Sequence, residues 1–491
     1  MQHSKTKKMK ALYLSILSLV VYLQFNHLNA QTYNLSVVEG YGSGNFSAGD
    51  TVHIWSKAYD TTKTFKKWTG DIQFLENPND WHSKLIMPSQ NISVSAIIDN
   101  MPNYSITFEQ IMGQNILKNV YYFFPTNLKG VIYLFHGTGG SANNFINSIE
   151  NRSFINAAIA DGFGIIATEA EEISLNSDLN GDGKLRWKVF PVDTLNGVDY
   201  LNIKILTNTF IQRGDFNYST PIFSVGMSNG GSFSAGISSA LNFRAGVSYC
   251  ASSVQGIFTQ RTNPFAFRMA KFDDNDEVGS EGNYEAWQND SILAAREICH
   301  DYKLHDRQPI YPERFARISG LSVGNSQLIY NDLVTNNLLD NNFALHSDTI
   351  RNRIIANPSL FPNIIQLPIS LLNDALSQIS ASNAEHKFYS DYNFETLNFF
   401  NVLCETTLGL ESTDFESKIK LFPNPASSIL YINTEYNIPL SFSIYNSLGQ
   451  LLAESSLTNN FITISHLSKG VYFIRINNSD NETSLLKFVK E

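Results

Sequence analysis

Cysteine is scarce in this chain, with 3 in 491 residues: Cys250, Cys299 and Cys404. So few cannot form a disulfide scaffold; they leave room for one bridge and one thiol, and their spacing fits no metal motif. Charge is sparse too. Charged residues make up 16% of the chain, and 35 Lys+Arg against 45 Asp+Glu give a net charge of −10. A balance of that sign disfavours a nucleic-acid backbone as partner. Long apolar runs are lacking apart from Ala11 to Phe25, at about 15 residues too short to span a bilayer comfortably. Lys5, Lys7, Lys8 and Lys10 precede that run and Leu28-Asn29-Ala30 follows it. Residues 1–30 therefore read as a signal peptide, with an uncleaved anchor as the alternative, and Gln31 as the mature start. The mature chain is expected to be exported, with no stable membrane span. An apolar content of 43% marks a globular protein, and the length favours two to four domains.

Residues 31–100 read as a small β-domain. Thr51-Val52-His53-Ile54-Trp55-Ser56 and Asn91-Ile92-Ser93-Val94-Ser95-Ala96 alternate with period two, and Gly40, Gly42, Gly44 and Gly49-Asp50 mark turns. Gly42-Ser43-Gly44-Asn45-Phe46, Phe65-Lys66-Lys67-Trp68-Thr69-Gly70-Asp71 and Met87-Pro88-Ser89-Gln90-Asn91 resemble the bacterial InlB B-type repeat. That resemblance implies a β-grasp-like module of secreted and surface proteins. Trp55 and Trp68 read first as the core of so small a module; a carbohydrate or polymer platform is the alternative.

The stretch that organises the larger domain, residues 101–410, is Pro221-Ile222-Phe223-Ser224-Val225-Gly226-Met227-Ser228-Asn229-Gly230-Gly231. An apolar run enters G-x-S-x-G, and small residues follow through Ala240. This is the pattern of a strand turning sharply into a helix with a serine at the apex. A turn that tight leaves no room for a Cβ at Gly226 or Gly230. The pattern occurs a second time, at Gly320-Leu321-Ser322-Val323-Gly324. The segment before that copy is rich in proline and charge and makes a poor buried strand, so Ser228 is the candidate nucleophile. Gly130-Val131-Ile132-Tyr133-Leu134-Phe135 is another buried-strand run, followed by His136-Gly137-Thr138-Gly139-Gly140-Ser141. Strand runs alternating with helical patterns argue a parallel sheet covered on both faces.

A strand leading into HGTGGS, and GMSNGG about 90 residues later, resemble the α/β-hydrolase fold, and within it the extracellular polyhydroxybutyrate depolymerases and feruloyl esterases. The resemblance implies an α/β class protein with a serine–acid–histidine triad in that chain order. Asp276, in the loop after a strand ending near Phe272, falls where the family's acid falls, with Asp274 as the alternative. His386 is the candidate base, ahead of His346, His300 and His305. The expected oxyanion hole is the backbone N–H of Asn229 and of Thr138. Residues 284–380 carry helical periodicity and read as a helical cap, or else as a surface insertion away from substrate.

Asp178-Leu179-Asn180-Gly181-Asp182-Gly183 matches the opening of a calcium loop, but position twelve is Val189 rather than glutamate. An Asx-rich turn is the plainer reading, so no metal and no cofactor is expected. The final domain, 411–491, contains Leu421-Phe422-Pro423-Asn424-Pro425-Ala426 and the alternating Gly470-Val471-Tyr472-Phe473-Ile474-Arg475-Ile476. It resembles the C-terminal sorting domain of the type IX secretion system, which implies a β-sandwich read by that machinery.

The expected fold is thus an α/β-hydrolase core with a helical cap insertion, flanked by small all-β N- and C-terminal domains. The expected activity is hydrolysis of carboxylic esters, polymeric or small, through an acyl-serine. A peptidase of the same fold, or a surface binding protein with an inactive hydrolase domain, are the competing readings.

Overall fold

The computed structural model describes residues 31–57, 63–101, 103–340, 343–346, 349–404, 419–434, 440–446, 450–457, 459–478 and 483–491. The expected signal peptide, residues 1–30, and the expected linker, residues 407–416, lie outside them. The chain divides into two compact units, Met1–Leu403 and Cys404–Glu491.

The first unit is built on an eight-stranded sheet. In order across it lie His300–His305, Phe265–Ala270, Ala245–Tyr249, Ile222–Met227, Gly130–Phe135, Phe163–Thr168, Leu117–Phe123 and Thr107–Met112. The first six run parallel, and the last two form an antiparallel hairpin on the edge. Alternate side chains of a strand serve opposite faces. Ile132 and Leu134 enter one core with Phe154, Ile155 and Phe400, whereas Val131, Tyr133 and Phe135 enter the other with Ile203, Phe210 and Phe233. Six consecutive apolar residues are therefore all buried, as expected of a strand covered on both faces. The strand His300–His305 escapes a reading from apolar runs because its sequence, HDYKLH, is that of a polar edge strand.

The region read as a cap begins later than expected. The helix Gly279–Ala295 puts Ala286 and Leu293 against Phe265 and Phe267 of the sheet, so residues 284–305 belong to the α/β layers. The insertion proper follows, with a core of its own that includes Ile310, Phe315, Ile329, Leu333, Ile354 and Ile379. This core also takes in Ile149, the first residue of the helix Ile149–Ala160.

The N-terminal module has two sheets. One orders Gly44–Ser47, Thr32–Val38, Ile92–Asn100 and Lys63–Gly70; the other orders Gly40–Tyr41, Thr51–Ser56 and His82–Ile86. Its described residues hold only a three-residue 3-10 turn, Ile72–Phe74, as helix; the helix of a β-grasp is not among them. Trp55 and Trp68 are buried, as the core reading required. Trp68 packs inside the module and donates to Asp80 O at 2.9 Å. Trp55 stacks on Tyr311 of the insertion at 5.3 Å between centroids.

That stacking is part of a polar seam between the module and the rest of the first unit. Trp81 Nε1 donates to Ser390 O (2.8 Å), and His82 Nδ1 donates to Asp391 Oδ1 (2.6 Å). His82 Nε2 then accepts from His53 Nδ1 (3.0 Å). The Arg317 guanidinium lies over the Trp81 ring at 3.8 Å and pairs with Glu150 at 3.0 Å. Arg314 is fully buried between the faces of Trp55 and Trp81. Burial and the Glu395 carboxylate beside it push Asp80 up to about 10, so it enters the seam protonated.

The second unit is a β-sandwich. A sheet of Ile419–Phe422, Ile429–Thr434 and Phe461–Thr463 accompanies a sheet of Leu451–Leu457, Leu440–Asn446, Gly470–Asn478 and Thr483–Lys490. Leu430, Ile432, Ile444, Ile464, Ile474, Ile476 and Phe488 form its core.

The seam should make the first unit acid-sensitive. Burial first, then the neighbouring His82, Lys84 and Arg314 charges, push His53 down to about 2. Burial also holds His82 below its ordinary value, against the Asp391 carboxylate. A histidine with a depressed folded pKa is protonated first in the unfolded chain, so its contribution is present above about pH 6.5 and is lost as pH falls. Asp391, whose carboxyl the His82 hydrogen bond and nearby cations hold well below the usual range, works in the same direction at lower pH. The Tm of this unit should therefore fall between pH 7 and pH 5. His53→Gln, which retains a donor but does not titrate, should flatten that slope; a slope unchanged in the variant would refute the assignment.

Candidate active site

Neighbouring strands Gly130–Phe135 and Ile222–Met227 send their following segments to opposite sides of the sheet, since the first leads to Phe163–Thr168 and the second to Ala245–Tyr249. The crevice beyond their carboxyl ends is where α/β sheets hold ligands. Both sequence-derived motifs open there.

Ser228 stands between the strand Ile222–Met227 and the helix Asn229–Ala240 with φ 57 and ψ −129, a backbone conformation costing on the order of 1–3 kcal/mol for a non-glycine residue. A Cβ on Gly226 would meet Gly230 O at 2.0 Å, and one on Gly230 would meet Phe135 O and His136 O at 2.3 Å. Both glycines are thus required by backbone contact, as the motif implied. The small residues that follow also have a packing role. Ser224 Oγ and Ser234 Oγ are 2.7 Å apart, and a Cβ on Gly231 would lie 2.4 Å from Ser248 Oγ, so the helix sits close on the sheet. Ser322, the other G-x-S-x-G serine, is the N-cap of the helix Val323–Thr335 and accepts from Asn325 N. Its role is local, and no strand leads into it.

The loop after Gly130–Phe135 passes directly against the serine: a Cβ on Gly137 would lie 3.2 Å from Ser228 Cβ. Gly139 N–H and Gly140 N–H are spent on Leu185 O and Gly137 O. Asn229 opens its helix, where N–H groups have no acceptor within the helix. His136 is a prop of this loop rather than an acid or base. Its Nδ1 donates to Gly137 O (2.8 Å), its Nε2 accepts from Ala170 N (3.2 Å), and burial pushes it down to about 4.

Trp187 locks the two motifs together, a role that sequence reading did not give it. Its backbone N–H and C=O bond the Asn229 side chain at 2.8 and 3.1 Å, and its indole N–H donates to His136 O at 3.0 Å. The ring stacks on Phe233 at 4.6 Å. Trp187 ends the Asp178–Asp182 loop, whose carboxylates bond within the protein. Asp178 accepts from the N–H groups of Asn180, Gly181 and Gly183, and Asp182 pairs with Arg186. An Asx-rich turn describes this segment.

His386 pairs with Asp273, not with Asp276. Its Nδ1 lies 2.7 Å from Asp273 Oδ2, whose side chain is fully buried, while Asp276 is exposed. The displacement has a simple origin: the strand ends at Ala270 rather than near Phe272, so a count from its end lands later. Asp274 Oδ1 faces only the His386 backbone N–H, at 3.4 Å. His386 Nε2 is buried with no hydrogen-bond partner. The other histidines are engaged elsewhere: His300 with Asp290, His305 with Ala381 O and the Tyr389 ring, His346 with Asn337 O.

The pair is tied to the serine through one strand end. Ser228 N–H donates to Tyr249 O (2.8 Å). The next residue, Cys250, has its Sγ within 4.8 Å of the facing atoms of Asp273 and His386. Cys250 is a free, buried thiol that donates to Lys387 O, and burial holds it protonated. It is a packing residue, not a nucleophile.

Comparison with known proteins bears on the two units differently. Residues 420–491 match the family model of the secretion system C-terminal sorting domain. The chain thus carries a type IX sorting domain, and the protein is secreted or held at the cell surface. No curated protein matches the chain. Among solved structures it is similar to an α/β serine hydrolase without a lid from Xanthomonas campestris, with 12% identity, TM-score 0.30, and coverage of 42% of this chain and 86% of that one. A dienelactone hydrolase from Anabaena variabilis matches at 14% identity, TM-score 0.31, and coverage of 41% and 87%. Est1E from Butyrivibrio proteoclasticus, with ferulic acid bound, matches at 12% identity, TM-score 0.29, and coverage of 40% and 88%. Among the described residues no helix is long and apolar enough to cross a membrane.

The backbone contacts at the elbow set a clear expectation. Gly230→Ala would force a Cβ into two carbonyl oxygens and should cost about 3 kcal/mol or more of stability. Gly256→Ala, in a helix with no atom within 4 Å of the added Cβ, should be neutral or stabilising by about 0.4–1 kcal/mol. Thermal melts of the two variants check this; equal Tm values would contradict the packing described.

Proposed function

We propose that the first unit is a serine hydrolase acting on carboxylic esters. Two observations support this reading: the Asp273–His386 hydrogen bond, and a serine held at φ 57 on a strand–helix turn whose N–H bonds Tyr249 O, one residue before the Cys250 that lies against that pair. A serine hydroxyl is a poor nucleophile at neutral pH and needs a neighbouring base. In the proposed reaction His386 Nε2 takes the Ser228 proton as Oγ attacks the ester carbonyl, and later returns a proton to the leaving alcohol. Asp273 orients the imidazole and stabilises its cation. The backbone N–H groups of Asn229 and Thr138 meet the developing oxyanion, each donor typically worth about 3 kcal/mol. Water then releases the acyl group from Ser228. No cofactor enters this scheme.

Among the described residues the elements beside the domain are a small β-module and a sorting domain rather than a propeller or comparable gate, which favours an ester over a peptide. Polymeric and small esters both fit the reading, and an inactive binding protein would not require so complete a set of groups. The exported protein should hydrolyse p-nitrophenyl acetate. Ser228→Ala should abolish turnover, and Asp273→Asn should lower kcat by about 10⁴ through the wrong imidazole tautomer. Asp276→Asn and Ser322→Ala should stay within about twofold of the parent, as surface changes do. Turnover retained in Ser228→Ala and lost in Ser322→Ala would reverse the assignment. Turnover of aminoacyl-p-nitroanilides without ester turnover would favour the peptidase.

A further inference from the structure

The sorting domain carries an aromatic row on the outside of its smaller sheet. Alternate residues of a strand face opposite sides of a sheet. In the sheet of Ile419–Phe422, Ile429–Thr434 and Phe461–Thr463, the residues Leu430, Ile432 and Ile462 turn inward to the core of the sandwich. Phe422, Tyr431 and Phe461 turn outward, and the register sets them side by side: Phe422 is opposite Tyr431, and Tyr431 is opposite Phe461. Ring centroids are 5.4 Å apart in the first pair and 6.1 Å in the second.

Cross-strand aromatic pairs stabilise a sheet, but this pairing leaves the outer side of the rings in water. Phe422 is 50% exposed, Tyr431 41% and Phe461 42%. A single exposed apolar residue is ordinary. Three in contact, one from each strand, make a continuous apolar surface, and such surfaces mark sites of association. The Phe422 end is also held in place. Asn424 accepts from Val489 N–H at 2.8 Å and donates to Lys487 O at 3.0 Å, and Ala426 N–H donates to Val489 O at 2.8 Å. These bonds tie the segment after Phe422 to the strand Thr483–Lys490 of the other sheet. A surface fixed in advance loses less freedom when a partner binds.

The nature of the partner follows from the domain and from the face. The match to the secretion system C-terminal sorting domain covers residues 420–491 and so includes all three aromatic positions. A sorting domain acts by being held by proteins of a secretion apparatus. Beside the row on the same face lie Ile429 and Thr463, opposite one another and uncharged. Aromatic side chains without charged neighbours are the composition of a protein–protein interface core. A sugar chain would need coplanar rings to stack along. The planes of Phe422 and Tyr431 are 17° apart, but those of Tyr431 and Phe461 are 56° apart.

From these observations we propose that the row Phe422, Tyr431 and Phe461 is the surface by which a protein of the type IX secretion system holds this domain during export. The rings enter an apolar recess on that protein.

Export of the full chain from a bacterium that carries the type IX system tests this, read as the fraction of the chain outside the cell or on its surface. Tyr431→Ser/Phe461→Ser should lower that fraction about tenfold or more, as loss of central aromatic contacts does. Tyr431→Phe/Phe461→Tyr, which keeps the aromatic row, should be exported like the parent. So should Leu451→Ser/Leu452→Ser, which removes comparably exposed apolar groups from the other sheet. If the serine double variant does not fold, Thr463→Arg decides instead: it leaves the row intact, sets a charge beside it and should block export. A benzophenone amino acid in place of Phe461 should crosslink, in cells, to an identified protein of the secretion system. Ser228→Ala should be exported like the parent, so the result does not depend on the ester-hydrolase reading. Normal export of the folded serine double variant or of Thr463→Arg would overturn the proposal. So would an equal loss in Leu451→Ser/Leu452→Ser, or crosslinking that reaches only a second copy of the chain, only polysaccharide or no protein of the secretion system.

Discussion

Backbone pressed on backbone sets the candidate site. Phe135 O and His136 O occupy the space a Cβ on Gly230 would need, and Gly230 O occupies the space a Cβ on Gly226 would need. Two segments that the sequence separates by about 90 residues therefore meet without any side chain between them. The turn they form leaves Ser228 at positive φ, and such strain persists only where the surroundings over-determine it. Here Trp187 does so, bonding Asn229 on one motif and His136 O on the other. The serine's conformation, the position of the Gly137–Thr138 loop and the orientation of the first helical turn are one arrangement rather than three.

What the sequence made legible follows the same logic. A glycine that cannot be replaced and a six-residue apolar run are local signals with a single structural meaning, so the elbow, the buried strands and the rejection of Ser322 could be read directly. The acid could not be read as securely. Four carboxylates crowd positions 273–277, and choosing among them requires the end of the strand to the residue; ending it near Phe272 selects Asp276, while ending it at Ala270 brings Asp273 to His386. The strand His300–His305 was hidden because an edge strand need not be apolar, and missing it made the insertion look longer than it is. Trp187 gave no pattern at all, since its partners are backbone atoms and an asparagine amide.

The seam was the least legible feature, because its residues look like surface. His53, His82, Asp80, Arg314, Arg317 and Asp391 would each be assigned to solvent from type alone. Arg317, Asp391 and Asp80 meet a group from a different segment across the boundary, His53 bonds His82 within the module, and the Arg314 guanidinium lies against the Trp55 and Trp81 rings with no hydrogen-bond partner among the described residues. Arg317 meets Glu150 and the Trp81 face; Asp391 meets His82; Asp80 keeps its proton beside Glu395. Burying such groups singly would be prohibitive, and even paired burial gives little net stability compared with an apolar contact. What the matched set does supply is a unique register, since sliding the module would leave several charges unpaired at once.

That register reaches the base. The segment carrying His386 is fixed on its early side where Phe272 N–H bonds Ala384 O, beside the acid loop. On its later side Ser390 is held by Trp81 and Glu150, and its hydroxyl also accepts from Arg317. Trp81 Nε1 bonds its carbonyl, while Glu150 accepts from both its N–H and its hydroxyl. The next residue, Asp391, is the acceptor for His82. Two of the contacts that hold this segment thus come from the N-terminal module, and a third from a carboxylate whose other partner, Arg317, stacks on that same module. In the proposed reaction the imidazole presents an unpaired ring nitrogen to a serine, and it gains from having its backbone fixed on both sides, because catalytic geometry tolerates displacements of only about an ångström. The module is accordingly best understood as a wall of the first unit. Its tryptophan and histidine hold, from behind, the loop on which the imidazole stands.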